Sequence, residues 1–119
     1  MIEMQKASIK DVANLLTGYA FRAKDFSDSG IPVLKISQIS NDQSIDLSSA
    51  QCFPEHLLED QHEKYFLNRG DILIAMTGAT AGKLGRLTTD DSVLLNQRVA
   101  CLRSKENIDQ DYLWAYVRG

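Results

Sequence analysis

The sequence has little that would support a metal centre or a disulfide. Its 119 residues include only two cysteines and two histidines. Cys52 and Cys101 form no C-x-x-C pair, and we predict two free thiols rather than a disulfide. His56 and His62 are spaced so that they do not stack on one helix face as ligands. The sequence therefore predicts no structural metal and no bound cofactor.

Long hydrophobic runs are also missing from the sequence. The longest stretch of aliphatic residues and methionine is Ile72–Met76, which is far too short to cross a bilayer. The first residues lack the basic and apolar regions of a signal peptide. We therefore expect a cytoplasmic protein, and the length predicts a single domain that can bury its own core.

Recognisable catalytic motifs are absent as well. The carboxylate pairs Glu59–Asp60 and Asp90–Asp91 are adjacent in sequence, and adjacent residues do not share a face. The sequence contains no G-x-S-x-G and no H-E-x-x-H. We therefore predict a protein that is not an enzyme.

Charge is unevenly distributed along the chain. The formal net charge is −3, which argues against non-specific binding of polyanions. Residues 83–105 nevertheless contain five basic and two acidic residues, whereas residues 42–71 contain two basic and seven acidic residues. A local basic surface is therefore compatible with the acidic composition.

The patterning predicts an α+β fold, with helices at both ends and short strands between them. Ser8 and Asp11 resemble a capping box, and the residues that follow predict a short helix ending at Gly18. Asp109 is placed to cap a final helix over 110–117, with its buried face formed by Leu113, Trp114 and Val117. A further helix is predicted from Pro54 to about Tyr65. The predicted strands are 33–39, 72–76, 83–88, 93–95 and 99–103.

Three segments carry residues suited to binding. Gly78–Lys83 invites comparison with a phosphate loop, but only three residues separate its glycines and Leu84 follows the lysine, so a glycine-rich turn is favoured. Asn96, Gln97 and Arg98 are residue types that pair with base edges, although a polar turn or a buried network would also use them. The loop 19–24 mixes aromatic and basic residues, which either contact nucleic acid or divide between core and solvent.

Several stretches, taken together, resemble the specificity (S) subunits of Type I restriction–modification enzymes. The first is N-R-G-D-I-L-I-A-M-T-G-A-T-A-G-K at 68–83, and the second is L-L-N-Q-R-V-A-C-L at 94–102. Others are I-K-D-V-A at 9–13, G-Y-A-F at 18–21, G-I-P-V-L-K-I-S at 30–37 and D-Y-L-W-A-Y at 111–116. They follow in the family's order over nearly the whole chain.

The resemblance implies a target recognition domain, a non-catalytic α+β module with a curved, mainly antiparallel sheet and short flanking helices. Such domains are similar to those of adenine-N6 DNA methyltransferases and read half of a bipartite site in double-stranded DNA. The partners implied are the modification (methyltransferase) and restriction subunits, or a second S-subunit fragment, and no membrane partner is expected. We predict that DNA is contacted by ten residues in and around these segments: Arg22, Lys24, Gln38, Asn41, Gln43, Thr80, Lys83, Arg86, Gln97 and Arg98.

The sequence also departs from the family pattern. We expect residues 1–119 to form one incomplete recognition domain, without the spacer helix and second domain of S subunits. An alternative is a split S fragment that acts mainly in assembly, for which an exposed apolar face on the last helix would be evidence. A nucleotide enzyme using Gly78–Lys83 is the weakest alternative.

Overall fold

A computed structural model describes residues 11–76 and 82–118, which form two small β-sheets flanked by one helix and short 3-10 turns. The larger sheet has the strand order β1-β7-β4-β5 and is antiparallel throughout. The smaller sheet has the order β3-β2-β6, in which β2 is antiparallel to β3 and parallel to β6. The strands are β1 (Ala13–Thr17), β2 (Ile31–Leu34), β3 (Cys52–Phe53), β4 (Ile72–Ala75), β5 (Leu84–Arg86), β6 (Leu94–Leu95) and β7 (Val99–Ser104).

The main core lies on one face of the larger sheet. Leu73 of β4 pairs with Cys101 of β7, and both are fully buried on this face with Leu34 and Leu95 of the smaller sheet. The opposite face carries Ile72 and its β7 partner Leu102. Because side chains alternate along a strand, β4 and β7 contribute to both cores.

The final helix, α1 (Gln110–Val117), covers that opposite face. Its predicted cap is confirmed, since the Asp109 carboxylate accepts a hydrogen bond from Asp111 N at 2.7 Å. Leu113 is fully buried against Ile72 and Leu102. The face that an assembly module would expose is therefore packed on the chain's own sheet.

The α+β prediction and its mainly antiparallel sheet are confirmed, but the predicted first helix is wrong at its centre. Only Asp11 and Val12 are helical among the described residues there, and Ser8 lies outside them. Residues 13–17 are β1, which pairs along its length with β7, from Ala13 opposite Ser104 to Thr17 opposite Ala100. The backbone hydrogen bonds to the distant strand β7 outweigh the local helical preference that the spacing of the apolar residues indicates.

The predicted helix after Pro54 is replaced by two 3-10 turns, η3 (Glu55–Leu57) and η4 (Asp60–Tyr65). Leu58 and Glu59 are extended, and the chain turns again because His62 Nδ1 accepts a hydrogen bond from Glu59 N at 3.0 Å.

The strand predicted over 33–39 ends at Leu34. The turn η2 (Ile36–Gln38) follows, and Gln38 Oε1 closes it by accepting a hydrogen bond from Lys35 N at 2.8 Å. One more 3-10 turn, η1 (Ala23–Asp25), lies in the β1–β2 connection. Among the described helices, none is long and apolar enough to span a membrane.

Candidate nucleic-acid interface

Three connections converge at one end of the larger sheet. The strand directions bring the ends of β1 and β4 beside the starts of β5 and β7, with Thr17 opposite Ala100 and Ala75 opposite Val99. Ala75 N also donates to Lys83 O at 2.9 Å. We call this region the loop end; its described residues are 18–19, Met76, 82–83 and 96–98.

Backbone hydrogen bonds hold the loop end together. Met76 N donates to Arg98 O at 2.9 Å, and Gln97 N donates to Tyr19 O at 2.8 Å. Gly18 lies so close to the 96–98 turn that a Cβ there would sit 1.8 Å from Asn96 O. Only glycine fits this contact, so the β1 exit and the 96–98 turn form one rigid unit.

The 96–98 turn presents two of the predicted DNA-binding side chains. Gln97 and Arg98 are exposed, and Arg98 has a φ of 70°, a left-handed conformation that is unusual for a residue with a side chain. Asn96 is half-buried, and its Oδ1 has no hydrogen-bond partner among the described residues. The turn thus divides its polar residues between its interior and its surface.

Lys83 lies at the same end, half-buried at the start of β5. It is followed by a strand and not by a helix, so Gly78–Lys83 lacks the helix N-terminus that a phosphate loop offers to an anion. Thr80 falls within residues 77–81, which lie outside the described part of the chain. Thr80 therefore stays a prediction.

Two other loops carry the next group of predicted residues. Arg22 and Lys24 are exposed on and beside η1. Asn41 is exposed on the connection between η2 and β3, which lies along β5 because Arg86 N donates to Gln43 O at 3.2 Å. These four residues, including the half-buried Gln43, lie outside the loop end itself.

Two predicted contacts have other roles in the structure. Gln38 is only 4% exposed, and its Oε1 is committed to the η2 turn. The Arg86 side chain is 20% exposed, donates from Nε to Gly70 O at 3.1 Å and pairs with Asp111 at 2.6 Å. It therefore fastens α1 to β5 at the opposite end of the strand from Lys83. Neither residue belongs to a common basic face with Arg98.

The buried ion pair of the structure was not foreseen from the sequence. Arg103 donates to both carboxylate oxygens of Asp71, at 2.8 and 3.0 Å, and to Phe66 O at 3.0 Å. The hydrogen bonds to Asp71 raise the pKa of Arg103. Burial, with the nearby Asp71 carboxylate, raises the pKa of the Cys101 thiol to about 12. This cluster is structural and supplies no site for a ligand.

A cleft of about 310 Å³ adjoins the loop end, and the sequence reasoning did not identify it. We call it the aromatic cleft; among its lining residues are Tyr19, Phe21, Arg22, Asp25, His56 and Glu59. The sequence signal was weak because these residues are divided between two connections that are far apart in sequence. Both cysteines are free, and the described residues contain no group of three metal-ligating side chains.

Comparison with known proteins places the chain in a family. The family model of the Type I restriction modification DNA specificity domain matches residues 1–118. Comparison with curated proteins finds no significant match.

Solved structures share the fold. The HsdS subunit from Thermoanaerobacter tengcongensis is 12% identical with a TM-score of 0.66, and the Type I restriction–modification S subunit from M. genitalium is 12% identical with a TM-score of 0.58. A chain from a structural study of assembly and conformational transition of the type I R-M system is 15% identical with a TM-score of 0.67. Each match covers 92% of this chain, which spans about a quarter of those chains (25–26%).

The family match extends over nearly the whole sequence, and the fold agrees with it. The chain belongs to the Type I restriction–modification DNA specificity domain family.

Proposed function

We propose that this chain is a non-catalytic specificity module that binds double-stranded DNA in the cytoplasm and reads a half-site of a Type I restriction–modification system. Adenine methylation and DNA cleavage would be carried out by partner modification and restriction subunits. Residues 1–119 would form part of one target recognition domain. The observation that carries the proposal is the convergence of Gln97, Arg98 and Lys83 at the loop end of a chain from this family.

The residue types at the loop end suit base reading in the major groove. There, arginine pairs bidentately with guanine and glutamine pairs bidentately with adenine. Gln97 and Arg98 project from a turn whose backbone is tied to β1 and β4, so little ordering of the loop backbone would be required on binding.

Charge supports the same surface. Arg98 and Lys83 belong to the basic segment 83–105 of an otherwise acidic chain. The exposed Lys24 on η1 and the exposed Arg22 just before it would extend phosphate contacts beyond the loop end. Because each phosphate contact adds about one unit to the salt slope of binding, we expect a slope of a few units.

The test is a fluorescence-anisotropy titration of the whole chain against a randomised duplex pool, from low to physiological salt, with sequencing of the retained DNA. We expect enrichment of a short half-site. Arg98→Glu and Lys83→Glu should each weaken binding and lower the salt slope. The matched control is Lys105→Glu, which makes the same charge change on an exposed residue just beyond the far end of β7.

Three outcomes of this titration would each count against a different part of the proposal. Unchanged affinity and slope in both loop-end variants would refute the proposed surface. An equal loss in Lys105→Glu would show that the effect is one of net charge alone. Binding without any enriched sequence would refute the specificity role.

A further inference from the structure

Two sheets have four outer edges, and three of these edges are covered by other parts of the chain. Along β5, Arg86 N donates to Gln43 O at 3.2 Å. Along β3 and β6, isolated antiparallel bridges are formed by Ser27 and Phe66. The fourth outer edge is β1, on the side of that strand away from β7. An open strand edge is a ready template for pairing with another chain.

The hydrogen bonds of β1 identify the backbone groups that face away from β7. Val12 O accepts from Lys105 N at 2.8 Å, and Gly18 N donates to Val99 O at 3.2 Å. Because alternate residues of an antiparallel strand bond to the same neighbour, the even-numbered residues from 12 to 18 face β7. The N–H and C=O groups of the odd-numbered residues therefore point outward. These residues are Ala13, Leu15 and Thr17.

Tyr19 follows the same alternation and marks the end of the open edge. Its N–H donates to Leu95 O at 3.0 Å, and its C=O accepts from Gln97 N at 2.8 Å, so its outward groups are satisfied within the chain. Within residues 11–76 and 82–118, the outward N–H and C=O groups of residues 13–17 make no hydrogen bond. The open edge therefore coincides with β1 itself.

The open edge lacks the features that usually prevent strands from pairing. Its sequence, A-N-L-L-T, contains no charged residue and no proline, and it pairs with β7 residue for residue without a bulge. Leu15 lies at its centre and is 56% exposed. Since Leu15 is opposite Leu102, it lies on the same face of the sheet as α1 but outside the area that α1 covers. An apolar side chain thus accompanies the open backbone groups.

A second copy of β1 would match this edge. When two copies run antiparallel about a two-fold axis at Leu15, each Leu15 lies opposite the same residue of the other copy, and Ala13 lies opposite Thr17. Each of these pairs joins two outward-facing residues, as a hydrogen-bonded antiparallel pair requires. The two Leu15 side chains meet on one face, and no like charges lie opposite one another. The edge is therefore self-complementary in backbone, side chain and charge.

We propose that β1 is a self-association edge, through which a second copy of this chain joins two four-stranded sheets into one continuous antiparallel sheet. This inference goes beyond the proposed reading of DNA and does not depend on it. A contact of five residues a side is much smaller than a standard interface, which has about 20–30 residues a side. The association is therefore weak, with a dissociation constant on the order of 0.1 mM.

The first experiment combines sedimentation velocity with NMR amide hydrogen exchange on the whole, isotopically labelled chain at physiological salt. Between about 20 µM and about 1 mM, we expect the sedimentation coefficient to rise towards that of a dimer and exchange at Leu15 and Thr17 to slow about fourfold. Exchange at Asn14 and Leu16 should not change with concentration, because these amides already bond to β7.

The second experiment places charges at the two-fold axis. Leu15→Lys and Leu15→Glu each put like charges opposite one another, so each variant alone should stay monomeric. An equimolar mixture of the two should associate, because opposite charges then face one another. Thr88→Lys is the matched control: it adds the same charge to an exposed residue just beyond β5, at the opposite edge of the sheet, and should associate as the unaltered chain does.

Four results would overturn the proposal. A chain that stays monomeric to about 1 mM would assign the edge to a different protein. Slow exchange at Leu15 and Thr17 at every concentration would show that the same chain covers the edge. Association that Leu15→Lys leaves unchanged, or a mixture no more associated than its components, would show that the copies meet elsewhere. If a variant failed to fold, the exchange pattern of the unaltered chain would still decide the question.

Discussion

Breaking the Asp71–Arg103 ion pair on one side only should strongly destabilise the protein. Asp71 is 4% exposed, and Arg103 supplies two of the hydrogen bonds to its carboxylate; Asn68 N supplies another at 2.7 Å. Arg103→Met keeps much of the side-chain volume but removes the charge, leaving a buried carboxylate with a single strong donor and Phe66 O without its partner. The Arg103 side chain is 35% exposed, which lets water replace part of the lost interaction.

We expect Arg103→Met to lower the free energy of unfolding by about 3 kcal/mol, at the lower end of what removing one partner of a buried pair costs. The double variant Asp71→Leu with Arg103→Met should lose less than Arg103→Met alone, because no uncompensated charge remains. Asp71→Leu alone should also be destabilising, since it leaves Asn68 N without its acceptor.

The measurement is equilibrium urea unfolding at pH 7 with Trp114 fluorescence and far-UV circular dichroism, so that coincident transitions verify two-state behaviour. Lys105→Met is the control, because it removes one positive charge from an exposed side chain and should change stability by no more than about 0.5 kcal/mol. A loss in Arg103→Met no larger than that of the control would refute the assignment of Arg103 as the compensating charge. A double variant less stable than both single variants would refute the reasoning about the uncompensated carboxylate.

Three further predictions concern packing and titration. Gly18→Ala should lower the free energy of unfolding in urea by about 3 kcal/mol, because its Cβ would meet Asn96 O at 1.8 Å. The control is Gly82→Ala, whose Cβ meets no atom within 4 Å and which should lose less stability despite the positive φ of Gly82. Equal losses in the two variants would contradict the close-contact argument. Leu113→Ala should cost about 3 kcal/mol through the cavity left under α1, while the exposed Tyr112→Ala should cost much less. The raised pKa of Cys101, about 12 against 9.0, means that the unfolded chain loses its thiol proton first as pH rises. The contribution of this thiol to the free energy of unfolding is constant below about pH 9. Between about pH 9 and pH 12 the free energy of unfolding should fall by up to about 1.4 kcal/mol per pH unit, and this slope should be absent from Cys101→Ala.

Some of the fold follows from local sequence. Residues 72–76 are apolar without interruption, and such a run bounded by turn residues becomes a buried strand in the structure, β4. Asp109 stands before an amphipathic stretch, and its cap needs nothing beyond the next two residues. These predictions hold because the interactions that decide them lie within one turn or one strand.

Other elements depend on partners far away in sequence. Residues 13–17 have helical spacing, but their strand conformation is decided by β7, more than eighty positions later. The stretch after Pro54 breaks into two 3-10 turns, and besides its local hydrogen bond with Glu59 N, His62 packs among Tyr19 and Phe21 of the β1–β2 connection and Phe53 of β3. Local periodicity carries no information about such contacts.

The candidate site shows the same division. Residue type alone selected Gln97 and Arg98, and the structure brings them together with Lys83 through the antiparallel arrangement of β4, β5 and β7. Residue type also selected Arg86, but only the fold places Gly70 O and Asp111 within its reach. A basic side chain is available for a ligand only where the fold leaves it without an internal partner.

The sequence by itself determined the family, the α+β class, the strand at 72–75 and the cap of the last helix. These features depend on the order of short motifs and on hydrogen bonds between residues that are close in sequence. Only the tertiary structure decided that three connections meet at the loop end, that Arg103 neutralises a buried Asp71, and that the β1–β2 connection and the turns η3 and η4 line one cleft. Each of these depends on groups distant in sequence, and their separation in space is set by strand pairing and packing rather than by local preference.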